Sequence, residues 1–189
     1  KPFVRSANVK VGYTKKVDES SNADTGELRE RTTSDSFAPL FSLSMNLNKG
    51  IKATIRYDQN SRKKENLRQE GSNQRIDHSK DKTYKVSISY SLSAPKGLNI
   101  PIFGKVKFDS QLSLSLDYMK KLRKSWFFLE GEKSVDVNSV ETSVEPKASY
   151  RFSTKITGGI NARWVDIDDK VQVRKRHVRE LGIWTELRF

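Results

Sequence analysis

The sequence predicts an all-β protein: an antiparallel transmembrane β-barrel with about eight strands in view. Three observations predict it. Apolar residues recur with period two in one segment after another. No segment carries an apolar stripe at helical spacing, and no run of about 18 apolar residues exists. Short and long connections alternate along the chain, as they do when one barrel end faces the periplasm and the other the outside.

The first strand covers residues 3–15, with Phe3, Ala7, Val9, Val11 and Tyr13 on one face and Ser6, Asn8 and Lys10 on the other. After a long polar connection comes the second, 37–48, where Phe37, Phe41, Leu43, Met45 and Leu47 oppose Ser42, Ser44 and Asn46. The turn Asn48-Lys49-Gly50 leads into the third, 51–59, with Ile51, Ala53, Ile55 and Tyr57 against Lys52, Thr54, Arg56 and Asp58. Residues 60–82 read as a polar loop. The fourth strand, 83–93, is the cleanest: Tyr84, Val86, Ile88, Tyr90 and Leu92 alternate with Lys85, Ser87, Ser89, Ser91 and Ser93. Residues 94–105 are too long for a hairpin turn, and Pro95 and Pro101 exclude a regular central strand there. The fifth strand is 106–119, followed by a long loop near 120–143, the sixth at 144–153, a tight Ser153-Thr154-Lys155 turn, the seventh at 156–167 and the eighth at 176–189.

The chain has 189 residues, enough for a single β-barrel region over 1–189. The absence of cysteine excludes disulfides, thiolate catalysis and Cys-based zinc sites, and fits a periplasmic route. No signal peptide is visible and the first residue is Lys1, so a mature product or a piece of a longer protein is expected. A net charge of +13 and a pI of about 9.9 point to an acidic partner: nucleic acid, anionic lipid or lipopolysaccharide. The mean hydropathy of −0.73 does not argue against a barrel, because only alternate strand residues meet lipid.

The two faces differ in kind. In a barrel the apolar face turns to lipid and the Ser-, Asn- and Lys-rich face to the lumen. Inside the strands the apolar face is nearly free of charge, with Arg5 the main exception. Tyr13, Phe37, Tyr57, Tyr84, Tyr118, Phe152 and Trp164 stand near strand ends, where an interfacial aromatic girdle is expected. Lys52, Arg56, Lys85, Lys147, Arg151 and Arg163 would line the lumen with positive charge. The clusters Arg62-Lys63-Lys64 and Lys120-Lys121-Leu122-Arg123-Lys124 would stand at the outer rim near lipopolysaccharide phosphates. Nucleic-acid binding is disfavoured, because it wants stacking aromatics among the basic residues, and here they face the other way.

No catalytic, cofactor or metal constellation is found, and no enzymatic step is expected. Asp77-His78-Ser79 sits in a polar loop that does not orient a base toward a nucleophile. His177 lies among Arg174, Lys175, Arg176 and Arg179, a setting hostile to a bound cation. Asp166, Asp168 and Asp169 lack the glycine and the bidentate glutamate of a calcium loop and read as a hairpin turn. Gly158-Gly159 marks a bend or a close approach.

The stretch Lys96-Gly97-Leu98-Asn99-Ile100-Pro101-Ile102-Phe103-Gly104-Lys105, with Phe108 and the Leu112–Tyr118 alternation after it, resembles the C-terminal part of SprA-type proteins. So do Tyr150-Arg151-Phe152, the Lys-Ile-Thr-Gly-Gly stretch at 155–159, Asp169-Lys170 and the ending from Arg179 to Phe189. The resemblance spans 84–189. It implies the outer-membrane translocon of type IX secretion, tied to gliding motility, with this chain a C-terminal portion of a wider wall. It also implies secreted cargo, other secretion subunits, outer-membrane lipid and the barrel-assembly machinery as partners. The C-terminal assembly signal of barrels is then carried by Gly182, Leu187 and Phe189, with Thr185 a weaker member. The expected location is the bacterial outer membrane and the expected function the structural wall of a secretion pore. Two alternatives stand beside it: a small eight-stranded barrel for adhesion or envelope integrity, and a soluble basic β-domain binding an acidic ligand.

Overall fold

The computed structural model describes residues 3–67, 75–100 and 104–188. They form one antiparallel sheet of nine strands: β1 (Val4–Lys10), β2 (Thr14–Ser21), β3 (Leu28–Leu47), β4 (Ile51–Asn66), β5 (Arg75–Ile100), β6 (Gly104–Leu129), β7 (Glu132–Arg151), β8 (Ile156–Asp169) and β9 (Arg174–Leu187). The strand order is β1-β3-β4-β5-β6-β7-β8-β9, with β2 also on β3. The all-β antiparallel class therefore holds. Closure does not: β1 and β2 together form one free edge and β9 the other, so the described strands form an open sheet.

The count of eight becomes nine because the first expected strand, 3–15, is interrupted. β1 pairs with Ser42–Leu47 of β3, and β2 pairs with Leu28–Ser36. Between them residues 11–13 face an irregular stretch of β3 whose register shifts between Phe37 and Phe41. Pro39 lies in that stretch and has no N–H to give to a ladder, and its carbonyl instead accepts a bond from the Gly12 amide at 2.8 Å. The eight positions across the sheet survive, the first filled by two collinear pieces.

Three long loops are corrected to strand. Residues 16–36 form the β2–β3 hairpin, 60–66 and 75–82 extend β4 and β5, and the stretch near 120–143 is the β6–β7 hairpin. That last hairpin turns on Glu130 and Gly131 alone, both with positive φ (54° and 85°), the two-residue connection that matches strand twist. The expected contrast of long and short loops is replaced by another asymmetry. Turns at the end holding Asn48–Gly50 and Ser153–Lys155 lie close to the apolar segments, whereas at the other end the strands run far past them. The segment 94–105 is also corrected. β5 continues to Ile100 and β6 starts at Gly104, with a register shift between Ala94 and Leu98 that takes Pro95 out of the ladder. Residues 101–103 lie outside the described residues.

The turns expected from sequence form. Lys49 and Gly50 adopt positive φ (63° and 78°), and a side chain on Gly50 would run into the Ser91 carbonyl at 2.8 Å. The Ser153 hydroxyl accepts bonds from the Lys155 and Ile156 amides.

Candidate functional site: an apolar belt backed by an ion-paired polar face

Register carries the two faces across every strand. Val9, Leu43, Ile55, Val86, Tyr118, Val144 and Trp164 form one continuous cross-strand row. The next row on that face holds Ala7, Met45, Ala53, Ile88, Leu116 and Pro146. Beyond it lie Ile51, Tyr90, Leu114, Ala148, Ile160 and Ile183. On β5 this belt runs from Tyr84 to Leu92. That is about nine residues, the length of a tilted membrane-crossing strand, or about 20 Å of height at a tilt of about 40–45°.

Burial is inverted relative to a water-soluble sheet. The buried side chains among the described residues are Thr32, Ser42, Asp58, Ser143 and Val165. By register all five lie on the polar face. The belt side chains are open instead: Ile183 is 82 % exposed, Leu181 78 % and Ile160 53 %. Polar side chains that shield one another while apolar ones splay outward are what a sheet curled toward its polar face produces.

All six basic residues expected on one face are found on it: Lys52 and Arg56 of β4, Lys85 of β5, Lys147 and Arg151 of β7, and Arg163 of β8. The expected wall of bare positive charge is corrected, because carboxylates are interleaved. Arg56 Nε donates to both oxygens of Asp58 at 2.9 Å. Arg163 sits between Glu145 (3.1 Å) and Glu180 (3.5 Å), and Lys147 between Glu145 (3.6 Å) and Asp117 (3.8 Å). Ser87 donates to Asp117 at 2.6 Å. Each such pair contributes about 0–1 kcal/mol where water reaches it, so the network sets face identity more than stability.

The aromatic residues expected as a girdle lie on the apolar face. Tyr57 and Tyr84 are direct cross-strand partners stacked at 4.7 Å, and Tyr13 packs on Phe37 at 4.6 Å while its hydroxyl donates to Asp35. Tyr118 and Trp164 share the next row. Phe152 stands at the opposite, turn-side end, edge-on to Tyr150 at 5.1 Å. Its ring covers Gly158, where a Cβ would meet it at 3.0 Å. A Cβ on Gly159 would meet the Ala148 carbonyl at 2.5 Å and the Trp184 indole at 2.8 Å, so the glycine pair marks close approach on both faces.

The residues expected to carry a C-terminal assembly signal do not all share one face. Leu187 pairs with Ile156 on the apolar face, together with Leu181, Ile183 and Thr185. Gly182 is corrected to the opposite face: it pairs with Asn161, whose side chain fills the space a Cβ would take (2.7 Å). Odd and even positions of one strand cannot share a face. Phe189 lies outside the described residues.

The two histidines are not loop residues. His78 is in β5, stacked on Trp126 at 5.2 Å and edge-on to Phe128, while Asp77 and Ser79 point through the other face. His177 Nδ1 lies 2.6 Å from Asp166 Oδ1, and Arg179 donates to the same oxygen at 2.7 Å. The hydrogen bond from His177 and then that from Arg179 hold the Asp166 carboxyl below the usual carboxylate range. Arg179 also carries charge on the apolar face, opposite Trp164 at the belt rim, a position that sequence alternation missed. Asp169 caps the β8–β9 turn, accepting from the Val171 and Gln172 amides. No group of carboxylates and histidines able to hold a metal occurs among the described residues.

No family model and no curated protein matches this chain. Among solved structures, the crystal structure of Neisserial surface protein A (NspA) aligns over 98 % of this chain and 100 % of its own, at 14 % identity and a TM-score of 0.31. Similarity that low leaves the functional reading to the chain's own geometry.

Proposed function

We propose that this chain forms the wall of a bacterial outer-membrane β-barrel, with its apolar belt against lipid and its ion-paired face toward the lumen, and that its role is structural, with no enzymatic step. The inverted burial carries this reading. Five buried side chains sit on the polar face while the belt's Leu and Ile side chains stand open, an arrangement unfavourable in water and favourable in hydrocarbon. Lipid, lipopolysaccharide and the barrel-assembly machinery are its immediate partners. In the test, purified chain is offered liposomes after removal of detergent. Insertion, with strand signal retained, is expected. A stable monomer that stays in the aqueous phase and ignores liposomes would overturn the reading.

The free edges favour a second, finer reading. Within hydrocarbon every backbone N–H and C=O must find a partner, so β1 and β9 each require a neighbouring strand. A wider wall supplies it, as in the SprA-type secretion pore that the sequence resembles, with secreted cargo and other secretion subunits as further partners. Closure of β1 on β9 supplies it in a small barrel for adhesion or envelope integrity, whose lumen side chains fill. Cysteine pairs scanned between Ala7 or Val9 and Leu181 or Ile183 separate the two: intramolecular disulfides mean closure, and none in any register means a wider wall.

A further inference from the structure

Above the Tyr57–Tyr84 row the apolar face changes character abruptly. Lys120 is the direct partner of Tyr84, Lys82 of Leu122, and Lys80 of Lys124. These four lysines of β5 and β6 share the belt's face, from the aromatic rim row itself (Lys120) to four residues past it (Lys80 and Lys124). Lys80 and Lys124 oppose one another directly, with Cβ atoms about 5 Å apart, and Lys82 lies diagonally between Lys120 and Lys124. Their direct cross-strand partners on β4 and β7 are uncharged: Gln59 and Ser61, and Thr142, Val140 and Asn138. Lys63 stands diagonal to Lys80, and the same-face carboxylates of these rows, Asp35 on β3 and Asp166 and Asp168 on β8, lie one strand further out.

None of the four makes an ion pair among the described residues. Elsewhere on these hairpins charges do pair, as Lys64 with Glu30 (2.9 Å) and Arg123 with Glu141 (3.8 Å). Asp81, adjacent in sequence to two of the lysines, points through the other face toward Arg123. Like charges set directly opposite destabilise a sheet, so a tetrad with no ion pair of its own among the described residues has room for an external anion. Its depth identifies the source. At about 3.4 Å of strand per residue and a tilt of about 40°, the tetrad spans from the rim to about 10 Å above it. That is the interfacial layer of a bilayer, where headgroup phosphates lie.

We infer that Lys80, Lys82, Lys120 and Lys124 form a binding site for a lipid headgroup carrying two phosphates. The inference rests on the membrane reading above. The direct Lys80–Lys124 pair and the diagonal Lys82–Lys120 pair present ammonium donors to two phosphate groups, and the aromatic row beneath receives the start of the acyl region. Both rings and ammonium groups lie on one side of the sheet, which corrects the expectation that basic residues and aromatics always take opposite faces.

The test uses the full chain in zwitterionic detergent, titrated with fluorescent bisphosphorylated lipid A, with phosphatidylglycerol as the single-phosphate lipid and inorganic pyrophosphate as the free anion. A lysine near an anionic surface is worth about fivefold in affinity, so Lys80→Gln with Lys124→Gln is expected to weaken lipid A binding about 25-fold. The control pair Lys52→Gln with Lys85→Gln removes equal charge from the opposite face and is expected to leave binding within about twofold. Equal loss in both pairs, or equal affinity for lipid A and phosphatidylglycerol, overturns the site. Pyrophosphate binding as tightly as lipid A overturns the lipid assignment, as does a single-stranded oligonucleotide that binds tighter than lipid A and is lost in the same variant. Insertion into plain phosphatidylcholine liposomes is scored in parallel. A chain that inserts without lipid A preference refutes the site alone, and a chain that fails to insert refutes the membrane reading.

Discussion

Replacing Ile88 by lysine tests where the apolar face lies. Ile88 is midway along the β5 belt between Tyr84 and Leu92, and its cross-strand partners are Ala53 and Leu116. At about 3.4 Å per residue each rim is about 13 Å of strand away, or about 10 Å of depth at a tilt of about 40°. That places the side chain near the midplane, where a lysine facing lipid costs about 2–4 kcal/mol. Two companions bracket the value. Ser87→Lys adds the same charge one residue away on the polar face, next to the Asp117 carboxylate, and is expected to stay within about 0.5 kcal/mol. Ile76→Lys adds it on the belt's face but far above the rim, beside Phe128, where the cost falls to about 0–1 kcal/mol. Reversible urea unfolding in phosphatidylcholine vesicles reads all three. A penalty at Ile88 no larger than at Ser87 would refute the facing, and an undiminished penalty at Ile76 would refute the belt's height.

Other outcomes follow from local geometry. Gly159→Ala forces a methyl against the Ala148 carbonyl and the Trp184 ring and is expected to cost about 1–3 kcal/mol in urea unfolding; a neutral result would mean that the β7–β8–β9 packing is wrong. Gly131 holds a φ of 85°, so Gly131→Val is expected to cost about 1–2 kcal/mol, whereas in a long flexible loop it would cost nothing measurable. The depressed Asp166 carboxyl stabilises the β8–β9 edge at pH values above the ordinary carboxylate range, and this contribution fades as pH falls through the lowered folded value. The protection factors of amides near His177 and Arg179, taken relative to intrinsic exchange at each pH, are therefore expected to fall on acidification in the native chain and to be low already at neutral pH in Asp166→Asn. Unchanged exchange in that variant would remove the contact from the account.

What the sequence revealed follows the contrast between faces. Where one face is apolar, as in Tyr84–Leu92 or Ile51–Tyr57, alternation located the belt portion of the strand, though β4 and β5 run seven or eight residues past the expected ends, and it put Lys52, Arg56 and Lys85 on the correct side. Where both faces are polar, the period has nothing to mark. Lys63-Lys64-Glu65 and Lys121-Leu122-Arg123 read as loop, yet they are strand, held by ladder bonds and cross-strand pairs such as Lys64–Glu30 and Arg123–Glu141. Charge interleaving across strands was hidden for a related reason. Arg163 and Glu145 are remote in sequence and become neighbours only through register. The same blindness concealed the lysine tetrad, whose members come from two strands. A finer signal was present in Glu130-Gly131, a turn-forming pair flanked by strand-forming residues on both sides.

The most direct test of the central claim is a cysteine scan of residues 84–92, which the cysteine-free chain permits without background. Each single cysteine is spin-labelled in the vesicle-inserted chain, and its accessibility to oxygen is compared with that to a water-soluble nickel chelate. The account predicts strict alternation, with 84, 86, 88, 90 and 92 favouring oxygen, most strongly at 88, and 85, 87, 89 and 91 favouring the chelate. The reverse phase, or chelate access at every position, would contradict it.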